Sequence, residues 1–117
     1  MSLVQQQTQQ LTASELAVLS LLDSTDFGFV ACQNSKLENL LCKAIDILDN
    51  YLRANLDGPI DPRIYCKLGH YHLLLKNYQR ALSAYQQYFA LDSEHYKDLP
   101  FLYGLGLIYF HYSAYRW

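Results

Sequence analysis

The pair Leu68-Gly69 returns as Leu105-Gly106 after 37 residues, and this recurrence constrains the chain more than any other feature. The same shift carries Asp61 to Asp98, His72 to Tyr109 and Tyr78 to Tyr115. Taken backwards, it puts Ala81 on Ala44, Tyr85 on Leu48 and Tyr88 on Tyr51. A period of this length holds one supersecondary unit, and such units bury their apolar faces by stacking. The unit is helical. Leu37, Leu40, Leu41, Ala44, Ile45, Leu48 and Leu52 recur at three and four, which is one helix face. No segment alternates as a half-buried strand does. The expected fold is all-α, built of antiparallel helix hairpins.

Start and stop signals divide the chain. Residues 1–11 are glutamine-rich and read as a disordered tail. Thr12 with Glu15 forms a capping box, flanked by Leu11 and Leu16 as a hydrophobic staple, so a leading helix spans 12–24. Asp23 to Asp26 mark a break and restart. A degenerate hairpin is expected over 25–58, with Ala31-Cys32 where Leu-Gly should stand and a strong helix over 37–56. Gly58-Pro59 ends that helix, glycine taking the left-handed position. Asp61-Pro62 opens the full repeat, 61–97, with helices Pro62–Leu75 and Tyr78–Leu91 turned at Lys76-Asn77. Residues 98–117 give the first helix of a further repeat. Trp117 falls one residue short of the next small position, so the chain reads as a fragment. Solenoids need about three repeats for independent stability. Marginal stability, or self-association through Tyr109, Tyr112 and Trp117, is the expectation.

Mid-helix glycine costs about 1 kcal/mol against alanine. Gly69 and Gly106 therefore imply close approach of another helix. Ala81 is the expected counterpart of Gly69, with Leu68 and Tyr85 filling the space beside them. His72 is expected to pack between helices. The 11 tyrosines read as gap-filling rings with polar tips.

Composition excludes several functions. A net charge of −2 gives no electrostatic case for direct binding of nucleic acid or anionic membrane. No apolar run approaches the ~18 residues of a membrane span, and the first thirty residues lack the basic start, apolar core and small-residue cleavage site of a signal peptide. Cys32, Cys42 and Cys66 are odd in number and form no CxxC, which suggests reduced intracellular thiols. None of His70, His72, His95 and His111 begins the HxD or HxE of a facial iron triad. Cys66 and His70 share a helix face. One such pair makes neither a zinc site nor, without an oxyanion loop and an orienting acid, a nucleophilic centre. No catalytic, cofactor-binding or metal residue is expected in this segment.

The order Tyr65, Leu68, Gly69, His72, Tyr78, Ala81, Tyr85, resumed at Leu105, Gly106 and Tyr109, resembles the tetratricopeptide repeat. Tyr88 stands at a position that is small in that family, Ser93 replaces its terminal proline, and the period exceeds the usual ~34. The resemblance implies a right-handed solenoid whose first helices line a concave partner-binding groove. In that phase the groove residues are Arg63, Cys66, His70 and Leu73, then Tyr103, Leu107, Phe110 and His111. A clamp for C-terminal carboxylates needs Lys, Arg and Asn where Cys66, His70, Tyr103 and Leu107 stand. An asparagine ladder is likewise missing, with Lys67 and Gly104 in its phase.

The run LGHYHLLLKNYQRALSAYQQYFALDSEHYKDLPFLYGLGLIYFHYSAYRW more closely resembles the start of the repeat array in the UTX/UTY histone demethylases. The stretch over 101–117 is the most distinctive, and LLDSTDFGFV (21–30) resembles that family's pre-repeat segment. Members remove methyl groups from lysine 27 of histone H3 with Fe(II) and 2-oxoglutarate, in a jumonji domain far downstream. None of those ligands lies in this segment. The resemblance implies a nuclear, non-catalytic scaffold that joins subunits of a histone methyltransferase complex. The alternative is an adaptor or co-chaperone repeat protein of another pathway.

Overall fold

The computed structural model describes residues 12–26 and 35–114. Local capping signals mark three of the helix starts among them. Helix α1 spans Ala13–Leu21, α2 Ser35–Ala54, α3 Pro62–Leu74, α4 Tyr78–Leu91 and α5 Leu99–Ala114. Short 3-10 turns occupy Ser24–Asp26 and His95–Lys97, and no strand occurs among the described residues. The glutamine-rich tail, residues 27–34 of the degenerate hairpin and Trp117 lie outside the described residues.

Capping sets the helix starts. The Thr12 hydroxyl accepts from Glu15 N at 3.1 Å, and Thr12 N donates to the Glu15 carboxylate at 2.9 Å. Asp61 caps α3 by accepting from Arg63 N at 3.0 Å, with Pro62 in the first turn. Asp98 accepts from Phe101 N at 3.0 Å and so caps α5.

Three endings depart from expectation. The leading helix stops at Leu21 rather than at 24, because Leu22 is extended, with φ −83° and ψ 134°. The long helix stops at Ala54, and Gly58 has no positive φ. A turn with Asn55 N on Leu52 O and Gly58 N on Asn55 O makes the stop instead. The left-handed residue is Lys76, with φ 65°. Asn77 N donates to His72 O at 2.8 Å and Lys76 N to Leu73 O at 2.9 Å, which closes α3 with a Schellman motif. That corner folds α4 back against α3 as an antiparallel hairpin.

Packing makes two apolar clusters. Leu19, Leu41, Ala44, Ile45, Leu68, Tyr71, Leu74 and Ala84 join α1, α2, α3 and α4. Leu73, Ala81, Tyr85, Tyr88, Phe101 and Ile108 join α3, α4 and α5. Helix α3 belongs to both and carries the longest run of buried residues, from Leu68 to Leu74. The three atoms nearest a Cβ built at Gly69 all belong to the Tyr85 ring, which that Cβ would overlap. Tyr85 is wholly buried and meets Phe101 edge-on at 5.3 Å. Gly69 thus makes room for a ring that bridges three helices.

Candidate functional site

The polar groups that draw together lie at the seam of α3, α4 and α5. Cys66 and His70 are one turn apart on α3, and Sγ lies 3.4 Å from His70 Nε2. His70 Nδ1 is 2.7 Å from the Tyr85 hydroxyl of α4. The Cys66 thiol donates to Asp98 Oδ2 at 3.6 Å, and the Tyr88 hydroxyl donates to the same oxygen at 3.0 Å. One donor order fits all four distances. The thiol and Tyr88 donate to the carboxylate, His70 Nε2–H faces sulfur, and Nδ1 accepts from Tyr85.

Electrostatics opposes nucleophilic use of this pair. Burial, with the Asp98 carboxylate beside it, pushes the Cys66 thiol well above its ordinary range. Burial holds His70 down at about 4, so its imidazole is neutral near pH 7. A catalytic thiol needs the opposite shift, toward thiolate. Both groups are buried, and the Tyr85 and Tyr88 hydroxyls are also pushed upward, chiefly by burial. The network ties three helices together as neutral groups around one carboxylate.

The chain's own N-terminal segment covers this seam. Tyr71 O–H donates to Leu19 O at 3.2 Å. Ser24 is completely buried, and its hydroxyl donates to the carbonyl of Pro100 in α5. Gly104 admits the segment, since a Cβ there would come within 2.9 Å of the Ser24 Cβ and overlap the Tyr85 hydroxyl. A cleft of about 220 Å³ remains between Leu22, Asp23, Arg63, Lys67, His70 and Pro100. That is smaller than the ~300 Å³ at which ligand pockets usually begin.

The residues assigned to one groove are distributed over several surroundings. Arg63 is exposed and forms a bidentate ion pair with Asp61, Nη2 to Oδ2 at 2.8 Å. Cys66 and His70 are buried in the network just described, and Leu73 is fully buried in the second cluster. Leu107 packs against that same cluster, and His111 stacks on Tyr78 with ring centroids 3.6 Å apart. Tyr103 and Phe110 are exposed on α5. The reason is the number of neighbours. Helix α3 is packed on several sides, so Cys66, His70 and Leu73 are covered, whereas Tyr103 and Phe110 on α5 are open.

Among the signature residues, Tyr65 and Tyr78 are half-buried beside the second cluster and Ala81 is wholly buried. His72 is buried between helices, and its Nδ1 has no hydrogen-bond partner among the described residues. Tyr109 is 55% exposed, and a Cβ at Gly106 would meet nothing within 4 Å. Sequence reasoning missed Ser24, Tyr88 and Asp98 as seam residues. Asp98 was partly visible, because it matches the Asp61 cap one period earlier. Nothing local signals the Ser24 contact, which spans 76 residues.

No group of three or more His, Cys, Asp and Glu able to hold a metal occurs among the described residues. None of the helices described is long and apolar enough to cross a membrane. No family model matches the chain, and no solved structure matches it.

Proposed function

We propose that this chain is a protein-interaction scaffold of the tetratricopeptide type, the non-catalytic N-terminal repeat segment of a UTX-like histone H3 lysine-27 demethylase. Its place of action is the nucleus, and its partners are subunits of a histone methyltransferase complex. The observation that carries the interaction reading is the α3–α4 hairpin, where Gly69 accommodates the Tyr85 ring at positions that the repeat signature reserves for them. The finer assignment rests on the likeness of residues 101–117 and of LLDSTDFGFV (21–30) to that family. The polar seam supports a scaffold over an enzyme, because its one thiol and its imidazole are buried and neutral. Fe(II) and 2-oxoglutarate belong to the parent family's distant domain, and this segment takes no part in their chemistry.

The test uses the whole 117-residue chain as bait in nuclear extract, with bound proteins identified by mass spectrometry. Recovery of methyltransferase-complex subunits is the expected result. Recovery of chaperones through their C-terminal peptides, with no chromatin subunit, would replace this reading with the adaptor or co-chaperone one.

A further inference from the structure

Residues 22–26 lie across two helices at once. The 3-10 turn Ser24–Asp26 packs on both α3 and α5. Asp23 sets the turn: its carboxylate accepts from Thr25 N at 2.8 Å and from the Thr25 hydroxyl. Such a turn is local and belongs to the segment itself. It carries Ser24 inward, where the side chain is wholly buried and its hydroxyl donates to the Pro100 carbonyl. The seat is small. A Cβ at Gly104 would come within 2.9 Å of the Ser24 Cβ, so its floor is bare backbone. Asp23 and Lys67 line one cleft beside it, and Lys67 is exposed on α3. The Asp98 carboxylate on that cleft is already engaged by Cys66, Tyr88 and Phe101 N. The seat therefore reads a short signal. It takes an aspartate that forms a turn beside a lysine, then a small side chain with a hydrogen to donate.

The segment is held lightly. Among the described side chains from Thr12 to Thr25, only Leu19 and Ser24 are buried. Leu16, Val18 and Leu21 are 54%, 44% and 79% exposed. Helix α1, with 9 residues, is too short to be stable alone. Few buried apolar contacts mark the part of a fold that opens first. The helices beneath have their own cluster around Tyr85, Tyr88 and Phe101, whose members all come from α3, α4 and α5. The floor of the seat therefore keeps its shape when the segment leaves. On the repeat reading, α3 and α5 are successive first helices, and the face they share is the groove. We infer that this face is a peptide-binding groove which residues 22–26 occupy as an internal ligand, and that its outside partner is an acidic turn of another protein, with aspartate followed by a small hydroxyl residue. The inference rests on the scaffold reading above. Partner and segment exclude each other, because the seat beside Gly104 holds one side chain. A partner waits for the segment to open, and its apparent affinity falls with the fraction open.

The probe is a peptide copying residues 20–26, titrated to millimolar concentration, the scale on which a tethered segment competes, into the whole chain. Binding is followed by NMR at the Cys66 and Gly104 amide signals. Ser24→Arg cannot enter the seat and so frees it within the chain. The peptide should bind that variant about tenfold more tightly than the unaltered chain, or better. Ser24→Ala removes one hydrogen bond and should strengthen peptide binding about fivefold. A peptide that itself carries Ser24→Arg should bind none of the three chains. A folded Ser24→Arg chain that ignores the peptide overturns the inference and makes residues 22–26 a fixed part of the core. So does a Ser24→Arg chain that loses its helical circular dichroism, because a displaceable segment is dispensable to the helices beneath it. Equal affinity for all three chains refutes the competition. The titration needs no extract. Failure here with chromatin subunits still recovered removes only the internal ligand, and success here without them removes only the choice of partner.

Discussion

His70 holds its ring nitrogens against Cys66 and Tyr85 with only 5% of the residue exposed, and burial sets its protonation. Its folded pKa of about 4 lies below the ordinary 6.5. Above pH 6.5 both folded and unfolded chains carry a neutral ring, and its stabilising contribution is complete. As pH falls towards 4, the unfolded chain takes up a proton that the folded chain refuses. Stability therefore drops on acidification, by on the order of 3 kcal/mol across that window. His72 is shifted down as well, chiefly by burial, and adds to the slope with the same sign. His70→Asn should lower stability at pH 7 and flatten the acid limb, as read by urea unfolding at pH values within the window. Parallel loss in both proteins would mean that His70 is not held neutral. The Cys66–His70 proximity was legible from their spacing on one helix face. Its chemical consequence was not, because it depends on Asp98 and on burial by distant segments.

Elements were legible where their signals are local. The Thr12–Glu15 box, the Asp61-Pro62 start and the Tyr78–Leu91 span all appear as the sequence suggests. The end of α2 was misread, since glycine before proline suggested a left-handed stop and the chain uses a hydrogen-bonded turn instead. The path of residues 19–26 across α3 and α5 was not legible at all. It is fixed by the small size of Gly104 and by the Ser24 hydroxyl on Pro100. Gly104→Ala tests that docking. Its new methyl would press on a hydrogen-bonded, wholly buried Tyr85 and on Ser24, so either the segment lifts or the ring shifts. Destabilisation of about 1–3 kcal/mol is expected, together with faster proteolysis within residues 12–26 and little loss of helical circular dichroism. An unchanged cleavage rate there would show that the segment is not seated on Gly104.

At the scale of the molecule, one face is filled and its repeat equivalent is open. Gly69 and Gly106 occupy the same place in the 37-residue period, yet one faces a buried tyrosine and the other faces space. The all-helical architecture was readable from spacing. That α3 would be enclosed while α5 stays open was not, because enclosure depends on which neighbours stack on each helix. The same difference explains why the groove residues do not share one surface. It also gives the most direct test. Gly69→Ala and Gly106→Ala should be compared by thermal melting at a concentration low enough to keep the chain monomeric. Gly69→Ala is predicted to destabilise by about 1–3 kcal/mol, because the Tyr85 ring has nowhere to go. Gly106→Ala is predicted to stabilise by up to about 1 kcal/mol, the gain in helix propensity. Shifts of the same sign in the two variants would contradict this account of the stack.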